Sequence, residues 1–158
     1  MQSLVIYDSR FGNTERIAQG IAERLTGAGP VRLLKAADAP TLDVQGIELL
    51  VVGGPTEGHG ISPPLRALLS TVSSGALWGV AAAAFDTRLS WPKVLSGSAA
   101  RRIAKALQTE GARLVAPPES FIVDAAREST LRAGELERAG AWAAKIVADL
   151  EPAKEPVS

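Results

Sequence analysis

The stretch VIYDSRFGNTERIAQGI, Val5 to Ile21, carries the reading of this chain. It opens with apolar residues running to Tyr7, a strand-like start. It closes on a helical pattern in which Ile17, Ala18, Ile21, Ala22 and Leu25 share one face and Glu15, Arg16, Gln19, Glu23 and Arg24 the other. Between them, Asp8–Thr14 is a polar loop. Ser9, Asn13 and Thr14 offer short hydrogen-bonding side chains, and Gly12 can take a positive φ that lets backbone N–H groups converge. The helix N-terminus adds the favourable end of its dipole. Two readings fit: an anion such as a phosphate held largely without basic side chains, or a helix cap behind a tight turn.

Outward from this unit, short apolar runs alternate with helical patterns. Val31–Leu34, Ile47–Val52, Val80–Phe85 and Phe121–Val123 join Leu4–Tyr7 as five strands. They read as runs rather than alternations, as strands covered on both faces do, which favours a parallel sheet. Ala81–Ala84 is ambiguous by propensity, and Gly79 before it with Asp86 after it decides for a strand. Helices are expected from the Ser62-Pro63-Pro64 start, with Leu65, Leu68, Leu69 and Val72 inward, then over Ala99–Leu107, and finally over Leu136–Leu150. The alternation specifies an α/β doubly wound three-layer sandwich. In such folds ligands bind at the carboxyl ends of the strands, so Asp8–Thr14, Gly53–Ile61 and Asp86–Gly97 matter most.

The totals bound the function. At 158 residues the chain suits one domain, residues 1–150, followed by a flexible tail, 151–158, that is polar and contains two prolines. Seventeen basic and seventeen acidic residues cancel, so charge points to neither nucleic acid nor a membrane surface. No apolar run approaches the ~20 residues of a bilayer span, and the start lacks a basic signal-peptide region, so a cytoplasmic location is expected. Without cysteine there is no disulfide or Cys-ligated cluster, and one histidine, His59, excludes two-His metal sites; no metal is expected. Nucleophile-elbow, Walker and G-x-G-x-x-G motifs are missing. Redox chemistry here requires a borrowed cofactor.

Ser9-x-x-Gly12-x-Thr14 between an aromatic-ended strand and a helix resembles the phosphate loop of the flavodoxins. The resemblance runs through the whole chain in element order. It is particularly close to the flavodoxin modules of flavodiiron-type proteins, which carry a similar aromatic-Gly loop and a Gly-x-Pro-Thr segment after the third strand. It implies a five-stranded parallel sheet of order 2-1-3-4-5 and FMN as cofactor, its phosphate held by Ser9, Arg10, Phe11, Gly12, Asn13 and Thr14. Phe11 departs from the Thr or Ser common there and leaves only a backbone donor.

By the same resemblance Pro55, Thr56, Glu57 and Gly58 cover one side of the flavin ring, with His59 as a ring neighbour or an exposed loop histidine. Asp86, Thr87 and Arg88 follow the fourth strand, where the family places its second ring loop. The tyrosine many members carry there is missing, and Trp91 takes its place or packs on the protein itself. From Arg88 to Arg113 six bases face one acid, Glu110, unlike the acidic carriers. These bases solvate a helix face or dock an acidic partner. The expected function is an FMN-binding electron carrier between redox partner proteins, as a monomer or weak dimer. The alternatives are an NAD(P)H-dependent FMN or quinone reductase and a flavin-free interaction module. A receiver domain is disfavoured, because Gly53-Gly54-Pro55 stands where its phosphoacceptor aspartate belongs.

Overall fold

The computed structural model describes residues 1–56, 60–90, 97–124 and 130–151. Its strands are β1 (Ser3–Tyr7), β2 (Val31–Lys35), β3 (Leu49–Pro55), β4 (Ala81–Leu89), β5 (Arg113–Leu114), β6 (Glu119–Asp124) and β7 (Thr130–Leu131). The helices among the described residues are α1 (Asn13–Leu25), α2 (Pro63–Leu69), α3 (Ala99–Thr109) and α4 (Glu135–Leu150). The sheet order is β2-β1-β3-β4-β6-β7, with β5 also pairing β4. All pairings are parallel except β6 with β7.

The expected order 2-1-3-4-5 is present, with the fifth position divided. Arg113 and Leu114 pair with Ala81 and Ala82, and Glu119–Val123 then pair with Phe85–Leu89 along the same edge of β4. Pro117 and Pro118 lie at the break. Proline has no N–H to give to a ladder, so the pairing lapses there and resumes beyond.

Residues alternate between the sheet's two faces. Leu4, Ile6, Leu50, Val52, Ala82 and Ala84 meet Leu65 and Leu68 of α2 and Ile103 and Leu107 of α3. Val5, Leu49, Val51, Ala83 and Phe85 meet Ile17, Ile21 and Leu25 of α1 and Ala139, Ala143 and Ile146 of α4. The alanines of β4 keep the centre of the sheet thin where helices press from both sides. β2 departs from the covered-strand reading: Arg32 and Leu33 are exposed, because β2 is an edge strand.

Two strands run further than expected. β3 continues through Gly53-Gly54-Pro55 and β4 through Asp86-Thr87-Arg88-Leu89. These tails pair with each other, and β4 gains β6 on its other side, so residues expected in loops are held by ladders. Gly53 owes its identity to packing: a Cβ there would lie 2.1 Å from the Phe85 ring. Phe85 in turn meets Phe121 and Trp142 edge-on, with centroids 6.0 and 6.2 Å away.

The helix starts also carry surprises. Ser62 stands at the α2 N-cap position as expected, yet its side chain caps nothing and its buried Oγ has no partner among the described residues. Ser98 does cap α3, accepting from Arg101 N at 3.4 Å. At the start of α4, Glu135 accepts from Ile122 N at 2.6 Å and pairs with Arg138 at 2.7 Å. Arg138 also reaches Glu119 at 2.9 Å, donates to the Ser120 carbonyl and lies over the Phe121 ring at 4.6 Å. This staple fixes α4 against β6. The expected tail lies, beyond Glu151, outside the described residues.

Candidate functional site

The carboxyl ends of β1, β3, β4 and β6 meet at a cleft of about 220 Å³. Its first wall is the turn into α1. Gly12 occupies the N-cap with φ 89° and ψ −8°, and no side chain among the described residues caps the helix there. Ser9 Oγ instead accepts from Gly12 N at 3.1 Å, which closes the turn and leaves the Ser9 hydroxyl hydrogen to give. First-turn N–H groups have no intrahelical acceptor, so an uncapped start presents donors and positive dipole together. Asn13 and Thr14 are buried and line the cleft, with Arg10 and Phe11 on its rim. Phe11 is 69% exposed, and the Arg10 guanidinium sits 5.3 Å from its ring centre.

The second wall is the end of β3. Pro55 and Thr56 line the cleft, and Thr56 N donates to the Thr87 carbonyl at 3.0 Å. Thr56 Oγ1 donates to Asp86 Oδ2 at 3.1 Å and accepts from Ala99 N at 3.0 Å. The single O–H of that hydroxyl is spent on the protein. Thr56 is therefore a fixed post rather than a free ligand donor.

The third wall is the end of β4 with β6. Thr87, Arg88 and Leu89 line the cleft, together with Val123. Arg88 is half-buried and donates through Nη1 to the Leu89 carbonyl at 3.1 Å. Asp86 does not line the cleft. It is fully buried, and its Oδ2 accepts from Thr56 Oγ1, from Ser98 Oγ at 2.9 Å and from Ala100 N at 3.0 Å. Strand alternation turns Asp86 to the face opposite Thr87, whereas Arg88 and Leu89 reach the cleft from the very end of β4. Asp86 faces α3 and ties three segments together from below.

Of the residues expected at the site, Arg10, Phe11, Asn13, Thr14, Pro55, Thr56, Thr87 and Arg88 meet at this cleft. Ser9 and Gly12 shape the turn beside it. Glu57, Gly58, His59 and Trp91 lie outside the described residues. Leu89 and Val123 were missed. Val123 ends an expected strand, so the rule placing ligands at strand carboxyl ends was the signal available for it.

Tyr7, at the tip of β1, donates to Glu15 Oε1 at 2.8 Å. Burial first, then the hydrogen bond and charge of Glu15, with Asp38 adding, push its phenol up to about 12. Glu15, the acid in the first turn of α1, is thus engaged by the strand.

The arrangement combines a donor-rich, uncapped helix start with apolar flanks from Pro55, Leu89 and Val123. Such a cleft can hold an anionic group at one end and a flat apolar one along the strand ends. These are the two chemistries of a flavin mononucleotide. No helix among the described residues is long and apolar enough to cross a membrane.

Comparison with known proteins agrees with this geometry. No curated protein sequence matches the chain. Among solved structures, oxidised flavodoxin 1 from Bacillus cereus superposes with a TM-score of 0.80 at 22% identity, over 96% of this chain and 100% of that one. A flavodoxin from the domain Archaea gives 0.74 at 18% identity, covering 94% and 97%. The rubredoxin oxygen:oxidoreductase of Desulfovibrio gigas gives 0.75 at 20% identity, covering 96% of this chain but 37% of that one. At these identities the likeness is one of fold. The Flavodoxin family profile matches residues 5–142, from β1 into α4. The chain therefore belongs to the flavodoxin family, whose cofactor is FMN.

Proposed function

We propose that this flavodoxin carries electrons between redox proteins, with FMN held in the cleft between the α1 turn and the ends of β3, β4 and β6. The observation that carries the reading is the uncapped start of α1 behind Gly12 in the left-handed conformation. Ser9, Gly12, Asn13 and Thr14 would surround the phosphate, with Arg10 and Phe11 at the rim. Pro55, Thr56, Thr87 and Arg88 would flank the ring, and by resemblance Glu57, Gly58, His59 and Trp91 complete its surroundings.

FMN supplies the one- and two-electron redox chemistry. The protein's part is positional. Thr56 is braced by Asp86 and by the Thr87 carbonyl, and Thr87 by Thr14, which keeps these walls from collapsing. Arg88 stands where it would favour negative charge on the ring. A cation about 6 Å away, at an effective dielectric of about 20, contributes roughly 2–3 kcal/mol, less where solvent screens it.

The sequence carries no G-x-G-x-x-G fingerprint and no candidate general acid beyond Glu57 and His59, which favours a carrier over a self-contained enzyme. The test is the absorption spectrum of protein purified without added flavin, followed by NADPH consumption with a quinone. A flavin spectrum and no turnover unless a reductase is added support the carrier. Sustained turnover without one would make the protein a quinone reductase, and a colourless protein that takes up no FMN would make it a flavin-free module.

A further inference from the structure

α2 and α3 lie on the same face of the sheet and leave a groove of about 300 Å³ between them. Leu69, Val72, Leu77 and Leu107 form its apolar floor. Its surroundings are basic. Arg66 and Glu110 line the groove itself, while Arg101, Arg102 and Lys105 on α3 and Arg113 just beyond are exposed outside it; Glu110 is the single acid among residues 60–90 and 97–114 apart from buried Asp86. None of these five bases takes part in an ion pair among the described residues. Since the whole chain is neutral, this is a local excess and not a general one.

The groove also has a direction. At its upper end Arg66 and Arg102 converge on Gly60, where a Cβ would lie 3.6 Å from Arg66 Nη2 and 3.7 Å from Arg102 Cδ. Gly60 lies four residues after Thr56 in sequence, and Thr56 lines the cleft that holds the flavin in the reading above. At its lower end Leu77 leads to Trp78, which is 83% exposed while its backbone is pressed against Gly111. Arginine and tryptophan are the residues that most often dominate binding energy at protein interfaces.

We propose that this face is the docking surface for an acidic protein partner, which lays an apolar-striped, Glu/Asp-rich segment between α2 and α3. The proposal deepens the electron-carrier reading and rests on it. Complementary charge steers the encounter and fixes orientation. The apolar groove and Trp78 supply the part that outlasts screening. A partner aligned along the groove meets Arg66 and Arg102 near Gly60 and the exposed Trp78 beyond Leu77.

The experiment uses the full ¹⁵N-labelled chain and two synthetic helices that share one leucine stripe, one with glutamates on its outer face and one with lysines. The glutamate helix is expected to shift the amides of α2 and α3 and the Trp78 indole, and the lysine helix to leave them unmoved. Arg66→Glu with Arg102→Glu should weaken the glutamate helix about tenfold or more while FMN affinity stays unchanged. Raising salt from about 10 mM to about 150 mM, which shortens the Debye length from roughly 30 to roughly 8 Å, should weaken it further.

Equal binding of both helices, shifts on another face, or no shift with either overturns the proposal. So does concentration-dependent self-association through the same residues in sedimentation, which would assign the groove to a second copy of the chain. The peptide titration reads the surface whether or not flavin is present, so a failure of FMN binding is seen separately.

Discussion

Thr14 Oγ1 and Thr87 Oγ1 lie 2.7 Å apart in a buried contact that joins the first turn of α1 to β4. Each hydroxyl has one hydrogen, so whichever donates to the other leaves the pair a single O–H to offer the cleft. Both residues line that cleft. A helix start and a strand end 73 residues apart in sequence thus present one donor as a unit.

Thr87→Val removes the partner and keeps the shape. A neutral hydrogen bond contributes about 0.5–1.5 kcal/mol, so FMN should bind roughly two- to tenfold more weakly. Riboflavin, which lacks the phosphate, should lose less, since it keeps only the ring-side contact of Thr87. Parallel titrations of the two ligands by flavin fluorescence make the check, and an equal loss for both would detach the pair from the phosphate.

Gly12 carries the turn through its backbone, since a Cβ there would meet no protein atom within 4 Å while φ is +89°. The left-handed conformation costs an L-residue about 1–2 kcal/mol, more for a β-branched one, whereas asparagine tolerates it. Gly12→Val should therefore lose at least about tenfold in FMN affinity, about 1.4 kcal/mol, and Gly12→Asn much less. If Asn loses as much as Val, the ligand needs the room itself and not the backbone angle.

The α1 turn was legible because its signals are local: a strand end, a glycine, short polar residues and a helical stripe lie within Val5–Ile21. The ends of β3 and β4 were not. Gly53 and Gly54 read as a loosened loop, yet they are in a ladder, and Gly53 is glycine because Phe85, distant in sequence, fills its side-chain space. Asp86 is placed beside the ring by resemblance alone, and only the register with β3 shows that its carboxylate turns inward to Thr56, Ser98 and Ala100. The Glu135–Arg138 staple has no sequence signature beyond an acid in the first turn of a helix, since Ile122 and Glu119 are supplied by the sheet.

Gly53→Ala tests the packing origin of that glycine. The methyl would overlap the Phe85 ring, and overpacking of this kind costs about 1–3 kcal/mol. Urea denaturation should show that loss, and Phe85→Leu in the Gly53→Ala background should cost less than Phe85→Leu alone. Additive losses in the double-mutant cycle would mean that the ring and the glycine do not meet.

Glu135 is held below the usual carboxylate range, first by its hydrogen bond with Arg138 and against the opposing effect of burial, with Ile122 N and the charges of Arg138 and Arg132 adding to the lowering. A depressed carboxyl contributes stability above its unfolded value near 4.5 and loses it as pH falls through the folded value. Glu135→Gln should therefore unfold at lower urea than the wild type at neutral pH, with the gap narrowing below about pH 4.5. A gap of constant size across that range would show that the packing of Glu135, and not its charge, holds α4 to β6.

Tyr7 provides the opposite sign. Its phenol is raised from 10.0 to about 12 by burial and by Glu15, so the neutral form is favoured in the folded protein. The stability this gives is complete below the unfolded value of 10.0 and is lost as pH rises through about 12. Phenolate absorbance followed against pH should therefore show this sole tyrosine titrating late in the native protein and near its ordinary value in urea. Glu15→Gln removes the charge that opposes ionisation, and should lower the native midpoint without bringing it to the unfolded one, since burial is the largest cause. Full return to the unfolded value in that variant would assign the whole shift to Glu15, and no movement at all would mean that the Tyr7–Glu15 contact does not persist in solution.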